Sequence, residues 1–202
     1  ARGREVCRFN AVTPQLEINP IKCDGCGVCV AICPEKALHL EEQETGHIFI
    51  SKTEYGPMVH ASLKAGAENS GKLVSKVRDL SDQLAEKGDK DLVLIDGSPG
   101  IGCPVVASLK GIDYSLIVTE PTLSGLSDLK RVLELTKLFK IKVFLVINKY
   151  DLNINISEEI EEYCYANQIR VIGKISFSSI INKVLRDGKL LVKTIPDSKP
   201  AQ

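Results

Sequence analysis

Residues Cys23 to Pro34 read Cys-Asp-Gly-Cys-Gly-Val-Cys-Val-Ala-Ile-Cys-Pro, so two, two and three residues separate four cysteines and a proline follows the last. Gly25 and Gly27 allow the tight backbone turns that bring thiolates around one face of an inorganic cluster. Zinc sites more often use two separated cysteine pairs, and disulfide scaffolds are typical of short secreted chains. The spacing therefore predicts that this segment binds a [4Fe–4S] cluster.

The sequence leaves the fourth cluster ligand open. In ferredoxins with two clusters, the cysteine before the proline ligates the other cluster, so Cys33 need not join the first three. Cys7 is the alternative, because both Cys7 and Cys33 are followed four residues later by alanine and an aliphatic residue, as in two halves of a repeat. Without that repeat, Cys7 would be read as a core cysteine. The candidate ligands are Cys7, Cys23, Cys26, Cys29 and Cys33.

Composition narrows the class of protein. The 202 residues are 44% hydrophobic, enough for a sizeable core, and 26 basic residues balance 26 acidic ones. Such a balance gives no reason to expect a nucleic-acid partner. No apolar run reaches the roughly 18 residues of a membrane span, and the chain does not open with the apolar stretch of a signal peptide. We therefore expect a folded protein of the reducing cytoplasm.

Four apolar runs in the rest of the sequence alternate with amphipathic segments. Each run has the length of a buried strand, and polar or glycine-rich residues follow it. The segments between them carry apolar residues at helical spacing, as Leu126, Leu129 and Leu133 do. This alternation predicts a parallel, doubly wound α/β sheet whose functional crevice lies at the carboxyl ends of the strands. The predicted strands are Asp91–Ile95, Ser115–Glu120, Lys142–Ile147 and Arg170–Ile175.

The stretch Gly66 to Leu73 nearly spells a phosphate loop, but leucine stands where the motif needs a magnesium-binding hydroxyl. Leu73 also begins an apolar helical stripe, so we interpret this stretch as a helix start capped by Ser70 and ending near Gly88. Ser157 is the predicted cap of a later helix. Short β-branched pieces between residues 39 and 60 predict strands that close a small N-terminal module.

Four segments together resemble the MinD-superfamily P-loop ATPases that carry an inserted ferredoxin domain. They are Asp96-Gly-Ser-Pro-Gly-Ile-Gly-Cys-Pro, Thr119-Glu-Pro-Thr-Leu-Ser-Gly, Asp128-Leu-Lys-Arg and Asn148-Lys-Tyr-Asp-Leu-Asn. The resemblance implies a partial doubly wound P-loop NTPase sheet of residues 56–202, with a small α+β ferredoxin-like module of residues 1–55. One departure is Ser176-Phe-Ser-Ser, where relatives usually have Pro and Asp near the base.

The resemblance also implies roles for single residues. Asp96 would be the Walker B carboxylate, Pro99 and Gly100 would belong to the switch that senses the γ-phosphate, and Asn148 would bond adenine. ATP and Mg²⁺ are the implied cofactors, beside the [4Fe–4S] cluster. ATP hydrolysis would gate electron transfer, or delivery of a cluster to an iron-sulfur or redox client protein.

In that family the phosphate loop precedes the ferredoxin insert, and this sequence is expected to lack it. The chain would then be a fragment, or a second copy or a separate chain would supply the loop, and these residues alone would hydrolyse ATP hardly at all. Two alternatives stay open. One is a ferredoxin-like electron carrier or scaffold without hydrolysis, and the other is a GTPase in which Asp151 of Asn148-Lys-Tyr-Asp reads guanine.

Overall fold

The computed structural model describes residues 2–67 and 70–201. The described residues form two compact units, one of residues 2–67 with 79–89 and the other of residues 70–78 with 90–201. The predicted domain division after residue 55 falls in the turn of a hairpin whose two strands both belong to the first unit. That division stays a prediction.

The first unit is built from short elements. Helix α1 is Arg2–Val6 and helix α2 is Val28–Ala31. Strands β1, Gly46–Thr53, and β2, Gly56–Leu63, form an antiparallel hairpin. An isolated bridge between Val12 and Ile18 joins the chain around Cys7 to the chain that leads into the cysteine run.

A parallel sheet organises the second unit, as the alternation of strands and helices predicted. Its strands are β3, Tyr114–Thr119, β4, Lys142–Asn148, and β5, Arg170–Ile175, in the order β3-β4-β5. A short 3-10 turn, Tyr150–Leu152, follows β4. The helices are α4 (Cys103–Leu109), α5 (Leu123–Leu138), α6 (Ile154–Ala166), α7 (Ser179–Arg186) and α8 (Leu191–Thr194), together with the first part of α3 (Gly71–Lys87), whose residues from Asp79 onward belong to the first unit.

The core lies between β4 and helices α5 and α6. It contains Leu145 and Ile147 of the strand, a leucine stripe of α5, and Ile160 and Cys164 of α6, all buried. Each such aliphatic side chain contributes about 2 kcal/mol through burial. Since the three strands are parallel, their carboxyl ends lie at one edge, where Asn148 of β4 is opposite Ile175 of β5. The packing thus fixes the edge at which polar residues follow the strands.

Two local predictions are wrong. No strand forms at residues 91–95, where Leu92 and Leu94 are 80% and 91% exposed, because a buried parallel strand needs neighbours to pair with and no described strand pairs with this run. Ser157 does not cap a helix. It lies inside α6, where its hydroxyl donates to the Tyr150 carbonyl at 2.7 Å, and Asn153 is the cap.

The predicted helix start at Ser70 is confirmed, because the Ser70 hydroxyl accepts from the Leu73 amide at 3.3 Å. Glu68 and Asn69 of the near-motif lie outside the described residues. Within the described part of the chain, no helix combines the length and the apolar character that a membrane crossing requires.

Candidate functional site

A cavity of about 270 Å³ in the first unit brings together four of the five candidate thiols. They are Cys7, Cys23, Cys26 and Cys29, and Cys33 is not among the residues that line it. Apolar side chains, including Phe9 and Leu40, complete the wall. The cavity therefore joins the cysteine run to Cys7, which precedes it by 16 residues.

The backbone around these thiols folds through two left-handed glycines. Gly25 has φ 65° and Gly27 has φ 74°, values that a residue with a Cβ rarely adopts. At Gly27 a Cβ would also stand 3.3 Å from Leu40 Cδ1. Upstream, the Asn19 side chain accepts from the amides of Ile21 at 3.0 Å and Lys22 at 3.2 Å, which makes an Asx turn directly before Cys23. Local turn chemistry thus shapes the loop that carries the thiols.

Cys7 and Cys33 have the same local geometry. The Ala11 amide donates to Cys7 Sγ at 3.3 Å, and the Ala37 amide donates to Cys33 Sγ at 3.4 Å. The predicted repeat is therefore visible in the backbone. The Ala11 amide, acting against the smaller effect of burial, lowers the pKa of the Cys7 thiol from its ordinary value.

The cavity has the donor set that a [4Fe–4S] cluster takes. Among the described residues, no three or more His, Cys, Asp or Glu side chains are close enough to hold one metal ion. A [4Fe–4S] cube takes one thiolate at each iron corner, so its four ligands surround the cube instead of converging on one point. Four thiols around one cavity with apolar walls meet that requirement.

The loop predicted to meet the nucleotide lies before α4. Asp96, Pro99 and Gly100 are all exposed in it, and Gly100 has φ 87°, so this position favours glycine. Pro104 stands in the first turn of α4, where its missing amide proton costs no helical hydrogen bond. The hydrogen bonds of the described residues do not join this loop to Asn148.

Two residues of α3 contact α4 near its two ends. A Cβ on Gly71 would lie 3.0 Å from the Cys103 carbonyl oxygen, so the helix starts approach closely. Arg78 Nη1 donates to the Ala107 carbonyl at 2.8 Å and also to the Lys110 carbonyl. A guanidinium at the last carbonyls of a helix satisfies orphan acceptors and favours the helix dipole. Contacts with α3 therefore fix the position of α4 and of the end of the loop that precedes it.

At the carboxyl edge of the sheet, polar groups of adjacent strands are linked in pairs. Lys149 Nζ lies 2.6 Å from Glu120 Oε1, which joins the residues after β4 and β3. The Phe177 amide donates to Asp151 Oδ1 at 2.6 Å, which joins the turn after β4 to the loop after β5. Asn148 lies at the same edge, and no described residue forms a hydrogen bond with its side chain.

Sequence reasoning missed Arg78 and Phe177. Arg78 sits on a helix rich in charged residues, and its partners lie 29 and 32 positions away, so nothing in the sequence singles it out. The sequence did contain a feature that could have drawn attention to Phe177, because an aromatic residue in a polar loop after a strand is unusual. Its link to Asp151 follows only from the register of β4 and β5.

The sequence is similar to a known domain family and to two curated proteins. Residues 16–39 match the 4Fe-4S binding domain family. An uncharacterized protein of Methanocaldococcus jannaschii is 34% identical over 149 residues, covering 74% of this chain and 52% of that protein. A second uncharacterized protein of the same organism is 26% identical over 131 residues, covering 65% and 46%. The chain thus spans about half the length of these relatives.

The fold is similar to solved structures of ATPases. A ParA family ATPase from Chlorobium tepidum TLS superposes with a TM-score of 0.52 at 24% identity, over 67% of this chain and 55% of that one. The MinD cell division protein of Aquifex aeolicus gives 0.54 at 19%, over 75% and 63%. The cell division ATPase MinD of Pyrococcus furiosus gives 0.52 at 22%, over 69% and 58%. The chain therefore combines a 4Fe-4S binding domain with the fold of the MinD and ParA P-loop ATPases.

Proposed function

We propose that this protein binds a [4Fe–4S] cluster and ATP, and that hydrolysis by the whole protein is coupled to electron transfer or to cluster delivery to a client protein. The observation that carries the proposal is that four thiols line one cavity. The fold of the second unit, which is that of known ATPases, supports the nucleotide part. Iron-sulfur and redox proteins are the partners that such chemistry would serve.

We assign the cluster to Cys7, Cys23, Cys26 and Cys29. The lining of the cavity supports Cys7 as the fourth ligand over Cys33, although both thiols accept an amide hydrogen bond. The bound cluster would supply one-electron chemistry. The chain itself would hold the four thiolates in place, and the Ala11 amide would donate a hydrogen bond to the Cys7 sulfur. The apolar side chains of the cavity wall would restrict the access of water to the cluster.

For the nucleotide, we assign Asp96 as the carboxylate that would hold Mg²⁺, and Pro99 and Gly100 as the segment that meets the γ-phosphate. Asn148 would bond the base. The 202 residues contain no complete Gly-x4-Gly-Lys-Ser/Thr motif, and phosphoryl transfer depends on groups that cradle the phosphates. Turnover would therefore need those groups from a longer chain, a second copy or a separate polypeptide.

Anaerobic reconstitution tests the metal site. We expect about four irons and four sulfides per chain, with the broad visible absorption of a [4Fe–4S] centre. Cys7→Ser is expected to lower iron content sharply, while Cys33→Ser keeps the native iron content and spectrum. A colourless protein that binds zinc would exclude the cluster, and loss of iron only in Cys33→Ser would reverse the choice of fourth ligand.

Nucleotide assays test the second unit separately. A protein that includes a phosphate loop is expected to hydrolyse ATP in a magnesium-dependent reaction that Asp96→Asn abolishes without changing iron content. Retention of a normal cluster with no ATP binding would leave an electron carrier or scaffold as the function.

A further inference from the structure

We propose that Arg8, held against the face of Phe9, raises the reduction potential of the bound cluster, and that Asp24 opposes this effect. This role rests on the cluster binding proposed above, and ligation of the cluster does not require it. Two observations support it: the charged residues that line the thiol cavity, and one cation–π contact.

Arg8 and Asp24 are the two charged residues among those that line the cavity. The other lining residues are thiols, glycines, an alanine and larger apolar side chains. Arg8 directly follows the proposed ligand Cys7. Asp24 directly follows another proposed ligand, Cys23. A cluster in this cavity would therefore have one cation and one anion beside it.

The Phe9 ring holds the Arg8 cation at the cavity wall. Arg8 Cζ lies 4.8 Å from the centroid of this ring, which also lines the cavity. A guanidinium binds the face of an aromatic ring through its planar, delocalised charge. None of the ion pairs formed by the described residues includes Arg8. Its charge is therefore positioned without being neutralised by a carboxylate partner.

A cation beside the cluster favours the reduced state. The cluster gains one negative charge when it accepts an electron, and local charge is among the factors that set its reduction potential. The Coulomb attraction between Arg8 and the cluster is therefore stronger after reduction than before it. Because Arg8 is exposed, water and salt weaken this attraction. Asp24 has the opposite sign and disfavours the added electron.

Redox titration of the anaerobically reconstituted chain measures this effect directly. Dithionite supplies the electrons through mediator dyes, and electron paramagnetic resonance follows the reduced cluster. We expect Arg8→Gln to lower the equilibrium constant for reduction by roughly fivefold to tenfold, where tenfold is about 59 mV for a one-electron couple. Arg8→Lys, which keeps the charge, should stay close to the unmodified chain. Asp24→Asn should raise the potential.

Three comparisons separate a local charge effect from a structural one. Lys52→Gln removes a positive charge from β1, outside the cavity lining, and should leave the potential nearly unchanged. Phe9→Leu keeps an apolar wall but removes the platform for the guanidinium, so it should lower the potential in the unmodified chain and not in Arg8→Gln. Added salt should shrink the difference between Arg8→Gln and the unmodified chain, because it screens exposed charges.

Iron content, measured for each variant, separates this inference from the proposed function. An unmodified chain that takes up no cluster would overturn both. Full iron content with the same potential in Arg8→Gln and the unmodified chain would overturn the role of Arg8 and leave cluster binding intact. An equal fall in Arg8→Lys and Arg8→Gln would also overturn it, since charge would then not be the cause. If Arg8→Gln binds no cluster, Phe9→Leu decides: a lower potential supports the proposal, and an unchanged one overturns it.

Discussion

Replacing Gly125 with alanine is expected to destabilise the second unit, because this glycine lies in the first turn of α5, packed against the turn that leads from β3 into the helix. A Cβ at Gly125 would lie 2.4 Å from the Glu120 carbonyl oxygen and 3.1 Å from Thr122 Oγ1. The same Thr122 oxygen caps α5 by accepting from the Gly125 amide at 2.9 Å. The added methyl group therefore collides with backbone and displaces the cap.

The magnitude follows from three opposing terms. Overpacking costs about 2 kcal/mol, loss of an N-cap costs about 1 kcal/mol, and alanine returns about 1 kcal/mol of helix propensity. Gly125→Ala should thus lower the free energy of unfolding by about 2 kcal/mol, or the melting temperature by about 4–8 °C. Urea titration and thermal melting of the chain under reducing conditions measure both quantities.

Gly173 in β5 provides the matched control. A Cβ there meets nothing within 4 Å, and its φ is not in the left-handed region. Gly173→Ala should change the free energy of unfolding by less than about 0.5 kcal/mol. If the two variants unfold alike, the close approach at Gly125 does not limit stability and the reasoning fails.

Three further results are expected. Arg78→Met should destabilise the chain by about 1–2 kcal/mol in urea titration, because two carbonyls at the end of α4 lose a charged donor, whereas Lys76→Met on the same helix should be near neutral. Burial raises the pKa of the Cys164 thiol to about 11. At pH 8, alkylation followed by mass spectrometry should therefore label exposed Cys103 and spare Cys164, and stability should fall as pH rises from about 9 to 11, where the unfolded thiol ionises first. ATP should bind at least about tenfold more tightly than GTP in competition dialysis, and a GTP preference that Asp151→Asn removes would contradict the adenine assignment.

The sequence predicted the parts of the fold that depend on local pattern. The alternation of apolar and amphipathic segments predicted β3, β4 and β5 to within a residue or two, and the leucine spacing predicted α5. Patterns of this kind are local, and here they succeeded where the partner strands and helices are also present.

What the sequence could not predict depends on partners far along the chain. The choice between Cys7 and Cys33 is one example, because both occupy equivalent positions of a repeat and only the cavity distinguishes them. The run at residues 91–95 is another, since an apolar segment becomes a strand only where another strand accepts its hydrogen bonds. The Asp151–Phe177 bond likewise follows from strand register.

The edge position of β3 has a practical consequence for handling the 202-residue chain. In the described structure β3 pairs with β4 alone, and Tyr114, Leu116 and Val118 are each more than half exposed along it. A row of unpaired backbone groups beside exposed apolar side chains is a template for self-association. Concentrated solutions of this chain should therefore tend to aggregate, so ligand titrations need repeating over a range of protein concentrations before a curve is interpreted as binding.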